Sequence, residues 1–177
     1  MYIWIGIDVD EQLKELKNEA KLIETKIGFE KSNFTLPYHI SLKISFEIND
    51  NNLEQIVNDI SDIYSGIEPF YIDVKEIEYH NTIAWIMIKE NKSLYFLHDK
   101  LNSLLFEKYN ISLHEYDTDY KFHTTLFMDV NSNKVSDAYE EIKKCKTPKK
   151  LLAHKFVIGT SPNGEFGTYK VVKEIIK

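Results

Sequence analysis

Apolar residues change period along this chain, and each change marks the edge of an element. Residues 2–9 read as a strand. Residues 11–27 place Leu13, Leu16, Ala20, Ile23 and Ile27 on one stripe and stop at Gly28, the pattern of an amphipathic helix with a glycine C-cap. From 36 to 48 the alternation is strict: Leu36, Tyr38, Ile40, Leu42, Ile44, Phe46 and Ile48 are apolar, with Pro37, His39, Ser41, Lys43, Ser45 and Glu47 between them. Strand side chains alternate faces, so His39, Ser41 and Lys43 are expected in a row opposite the hydrophobic face. A second helix is predicted from Leu53 to Tyr64, ended by Gly66. Two short strands follow at about 70–78 and 82–89, turning around His80 and Asn81. The third helix is predicted behind Ser93 as N-cap, a strand at 119–128, and a fourth helix around 132–144. A final hairpin, about 151–160 and 166–175, is expected through PNGEFG.

The order strand, helix, motif strand, helix occurs twice, and Trp4 precedes His39 at a separation similar to that of Trp85 from His123. Such repetition points to an internal duplication and to an α+β protein, residues 1–177 forming one bilobal domain with helices on the outer face of each sheet. In the second half, DYKFHTTLFMD puts Tyr120, Phe122, Leu126 and Met128 on one face and His123, Thr125 and Phe127 on the other. If the two antiparallel sheets face each other, the two rows line one central cleft.

Two histidines, each with a hydroxyl two residues on, suit phosphoryl chemistry on a diester. The imidazole pKa lies nearest neutrality, so one ring can take a proton while the other gives one. Ser41 and Thr125 can donate to non-bridging oxygens, and Lys43 is a candidate to offset their charge, solvation of a strand edge being its alternative. Phe127 is a candidate to stack on a base, against packing between lobes. For Tyr2, Trp4 and Trp85 core packing is the stronger reading. His80, His98, His114 and His154 lack the neighbouring hydroxyl, and structural or surface roles are expected. No spacing supplies third and fourth ligands beside His39 and His123, so neither metal nor other cofactor is expected.

Composition narrows the partners. A net charge of −6 and a pI near 5.5 provide no cationic field for duplex DNA or long RNA, so a nucleic-acid substrate should be small or end-bound. The basic stretch KKCKTPKK is read as a solvated helix end. Cys145, the single cysteine, excludes an internal disulfide and fits a reducing compartment. The N-terminus lacks a basic leader and no apolar run approaches a membrane span, so a cytoplasmic monomer without membrane attachment is expected.

HISL at 39–42 and HTTL at 123–126 resemble the paired motifs of the 2H phosphoesterase superfamily, which includes LigT-like 2'-5' RNA ligases and cyclic phosphodiesterases. LPYHISLKISFE, NTIAWIMIKE and PNGEFGTYKVV are most similar, in order and spacing, to a bacterial YjcG-like group. The resemblance implies a bilobal, pseudo-twofold fold acting without metal on 2',3'-cyclic phosphates or related RNA-terminal diesters. It also implies His39 and His123 as the acid/base pair and Ser41 and Thr125 as phosphate-binding hydroxyls. Tyr169 resembles a tyrosine of the YjcG-like group and is a candidate to line the cleft, capping of the core being its stronger alternative. The same site would serve a 2'-5' ligation, cleavage of a cyclic oligonucleotide, or a nucleotide- or RNA-end-binding module without turnover.

Overall fold

The strictly alternating stretches form strands and the 3.6-period stretches form helices. In the computed structural model, which describes residues 1–177, the order is β1 (Tyr2–Asp8), α1 (Lys14–Ile27), β2 (His39–Glu47), α2 (Leu53–Ser65), β3 (Phe70–His80) and β4 (Ile83–Ile88). It continues with α3 (Lys92–Tyr109), β5 (His123–Met128), α4 (Ser132–Ile142), β6 (Lys150–Ala153), β7 (Lys155–Ser161) and β8 (Lys170–Ile176). Gly28 closes α1 in the left-handed region at φ 80°, where a side chain would be strained. The start of α3 differs from expectation. Asn91, not Ser93, is the cap, accepting from the backbone N–H of Ser93 and Leu94 at 3.0 and 3.2 Å, because Asn91 still has extended backbone while Ser93 is already helical.

The strands make two four-stranded antiparallel sheets, ordered β2-β1-β7-β8 and β5-β4-β3-β6. Each motif strand is an edge, and each tryptophan-bearing strand lies next to it, so the two sheets correspond position by position. The predicted strand over 151–160 is in fact two. Its inward positions change parity at His154, from Leu151 and Ala153 to Phe156 and Ile158, and the chain passes from one sheet to the other there. The first sheet is therefore built from both ends of the chain. One contiguous apolar cluster runs through both sheets and all four helices, including Ile3, Ile5, Leu16, Ile60, Ile86, Leu101, Leu126 and Val135. No helix is long and apolar enough to cross a membrane.

Candidate active site

On β1 the odd residues Ile3, Ile5 and Ile7 are fully buried in the core, which turns Trp4, Gly6 and Asp8 to the opposite face. The Trp4 ring lies flat over Gly6 and Gly159; a Cβ at either glycine would come within 3.0 Å of the indole. Held there, Trp4 meets the His39 ring edge-on, with centroids 4.2 Å apart, and donates from Nε1 to Ser41 Oγ at 3.2 Å. In the second sheet Trp85 packs on His123 at 4.4 Å and pairs across the ladder with Thr125. Each motif histidine thus rests on the tryptophan of its neighbouring strand.

The two rings are held alike. His39 Nδ1 donates to the Pro37 carbonyl and His123 Nδ1 to the Lys121 carbonyl, both at 2.7 Å and both two residues upstream. A proton fixed on Nδ1 leaves Nε2 as the reactive nitrogen, and no protein group bonds Nε2 of either ring. Both rings line a single cavity of about 370 Å³, together with Ser41, Thr125, Lys43 and Tyr169. None of its lining residues is an aspartate or glutamate, although the chain carries 28 of them. Ser41 Oγ, already accepting from Trp4, is free to donate, and Thr125 Oγ makes no hydrogen bond within the protein.

Each ring keeps a solvent-facing edge in the cleft while protein atoms crowd it elsewhere. That desolvation lowers the His39 pKa to about 4, against partial opposition from the Pro37 carbonyl; charge on His123 lowers it further, and Asp8 and Asp10 oppose the shift. His123 is also lowered, by burial first, with the Lys121 carbonyl opposing. Both are neutral at neutral pH in the free protein.

The sequence profile of the 2'-5' RNA ligase superfamily matches residues 9–165. The chain belongs to that superfamily. A Bacillus cereus relative named only as a phosphoesterase is 34% identical over 74 residues, 40% of this chain and 43% of that one, so the chain spans less than half the length of the curated relatives it matches. Among solved structures, a Thermus thermophilus protein superposes with TM-score 0.69 at 15% identity, covering 99% of this chain and 97% of that one. Apo LigT of E. coli superposes with TM-score 0.60 at 14% identity, covering 98% and 95%. LigT in complex with 3'-AMP gives 0.58 at 15% identity, covering 98% and 96%. These likenesses show the superfamily's fold.

Two expectations within the motif strands are corrected. Lys43 is 2% exposed and its ammonium is paired with Asp117 Oδ2 at 2.6 Å, so it neither solvates an edge nor carries a free charge to a phosphate. The cause lies outside β2: α3 and the turn at 115–117 cover that stretch, with His98 bonded to the Leu42 and Asp117 carbonyls. Phe127 is fully buried against Phe29 instead of facing the cleft. A bulge in β5, where Ala84 pairs with Phe127 but Trp85 pairs with Thr125, inserts one residue and reverses the facing. Met128 therefore reaches the cleft in its place.

Tyr169 lines the cavity and hydrogen-bonds through its hydroxyl to Ser45 Oγ. Ser45 continues the His39–Ser41–Lys43 row, so its alternation was the signal for it. Asn33, Phe166, Gly164 and Gly167 also line the cleft from loops, where no periodicity marks them. The glycines at φ 75° and 87° let the 162–168 loop turn over the opening. Of the other histidines, His98 is buried, His114 caps a 3₁₀ turn, and His80 is exposed beside Glu78.

Proposed function

We propose that the chain is a phosphoesterase that opens 2',3'-cyclic phosphates, or related RNA-terminal diesters, with His39 and His123 as its acid/base pair. The observation that carries this reading is the mirrored placement of the two rings. Both have Nδ1 committed to the backbone and Nε2 available, beside a hydroxyl, in one cleft without carboxylates.

A diester brings a negative charge into that cleft, which raises the affinity of the imidazoles for a proton. That proton is assigned to His123, because burial depresses His39 more strongly. Neutral His39 Nε2 then accepts a proton from water as the water oxygen bonds to phosphorus. His123 Nε2–H gives its proton to the departing ribose oxygen as the P–O bond breaks. Ser41 and Thr125 donate to the non-bridging oxygens, where charge gathers. The two rings end with exchanged protonation and reset through solvent.

The same transfers with a ribose 5'-hydroxyl in place of water form its bond to phosphorus as the P–O3' bond breaks, and leave a 2'-5' diester, the ligation for which the superfamily is named. A LigT structure with 3'-AMP supports a small nucleotide as the ligand of this fold. The test is incubation with each of the four nucleoside 2',3'-cyclic phosphates in EDTA, with the product isomer identified by ³¹P NMR. One isomer, 2' or 3', is expected. Tight binding without product after prolonged incubation would make the protein a binding module instead.

A further inference from the structure

A second cavity of about 350 Å³ adjoins the histidine cleft, and Met128 and Phe166 line both. We propose that it binds the nucleobase of the penultimate nucleotide, 5' to the one that carries the scissile phosphate, so that the substrate is an oligonucleotide end and not a mononucleotide. This rests on the function proposed above for the cleft itself.

Three observations carry the assignment. First, three large apolar side chains stand open around one hollow: Met128 is 37% exposed, Phe166 40% and Val130 96%. A base offers a flat π-face to such a surface and stacks on the exposed Phe166 ring.

Second, the charges differ between the two cavities. The histidine cleft holds no carboxylate, whereas Glu30 and Asp129 line the second cavity. Carboxylates repel a phosphate but accept from the N–H groups of a base edge. Guanine carries two adjacent donors on one edge and so offers these acceptors the most; Asp129 Oδ1 accepts from the Asn131 N–H at 2.7 Å, which leaves Oδ2 for a ligand. Lys31, the one cation there, suits the phosphodiester joining the two nucleotides.

Third, the wall is built rather than incidental. Asn33 Oδ1 accepts from Met128 N–H at 2.8 Å, while its own N–H groups donate to Glu24 at 2.7 and 3.0 Å. Lys134 reaches the Gly28 carbonyl at 2.7 Å, and Phe29 packs on Phe127. The 28–35 segment is thereby tied to β5, and the ledge between the cavities stands before any ligand arrives.

Calorimetry with uridine 3'-phosphate, GpUp and UpUp, the dinucleotides both 3'-phosphorylated, tests the assignment without requiring turnover. GpUp is expected to bind at least about tenfold tighter than uridine 3'-phosphate, and tighter than UpUp. Thr82 lines only the second cavity and uses its backbone carbonyl alone, to Asp129 N–H. Thr82→Trp should therefore abolish the dinucleotide advantage while uridine 3'-phosphate binds as before. The double variant Glu30→Gln, Asp129→Asn should bring GpUp down to UpUp. Equal affinity for GpUp and uridine 3'-phosphate in the wild type, or an advantage that survives Thr82→Trp, would overturn the proposal. Failure to turn over any cyclic phosphate, with the dinucleotide advantage intact, would remove the hydrolase reading and leave this site standing.

Discussion

At the residue scale, the chemistry depends on two imidazoles that the backbone holds in one tautomer. Replacing His39 or His123 by alanine removes a proton-transfer group, and kcat is expected to fall about 10²–10⁴-fold in each variant with the circular dichroism unchanged. Thr125→Val keeps shape and deletes one donor to the developing charge, for an expected loss of about 10²–10³ in kcat. Because both rings are neutral in the free protein at pH 7, binding of a phosphate ester should draw in about one proton. Calorimetry of nucleotide binding in buffers of different ionisation enthalpy measures that uptake, and its absence would contradict the protonation states assigned here. His39, Ser41, His123 and Thr125 were legible from the sequence because alternation alone sets which face a strand residue takes. The two tryptophans beneath them were not: a Trp on a strand reads as core, and only the glycines at 6 and 159 reveal that a ring lies across the sheet.

At the scale of elements, β2 and β5 differ in how well their pattern reports their facing. Both carry a histidine row, yet the bulge in β5 exchanges Phe127 and Met128, and no residue in HTTLFM announces it. Lys43 kept its place in the row but lost its expected role, because Asp117 comes from a loop 74 residues away and sequence gives no sign of that pairing. The Lys43–Asp117 pair joins β2 to the segment that leads into β5, and both side chains are almost wholly buried. Removing one partner strands a charge, so Lys43→Met or Asp117→Leu alone should cost about 3–5 kcal/mol, and the double variant distinctly less. Urea denaturation of the three variants checks this, and additive losses would argue that the two groups act independently.

At the scale of the molecule, the four helices and the paired motif strands followed from periodicity, and the correspondence between lobes from the repeated order of elements. The crossing at His154 did not, since a continuous apolar stretch gives no reason to divide one strand between two sheets. That crossing places both chain ends in the sheet that carries His39, so the cleft depends on the whole chain. Stability should follow pH accordingly. The folded state holds His39 near 4 against an ordinary value of 6.5, so between these limits the unfolded chain binds a proton that the folded chain does not. The urea midpoint is therefore expected to fall as pH drops through that window, and His39→Gln to flatten the fall.

The central claim is that His39 and His123 grip the same phosphorus. Imidazole ¹⁵N NMR, with both rings assigned through single variants, tests it during titration with a nucleoside 3'-phosphate. Nε2 of both rings should shift together along one binding isotherm; a response from one ring alone, or two different affinities, would contradict the account.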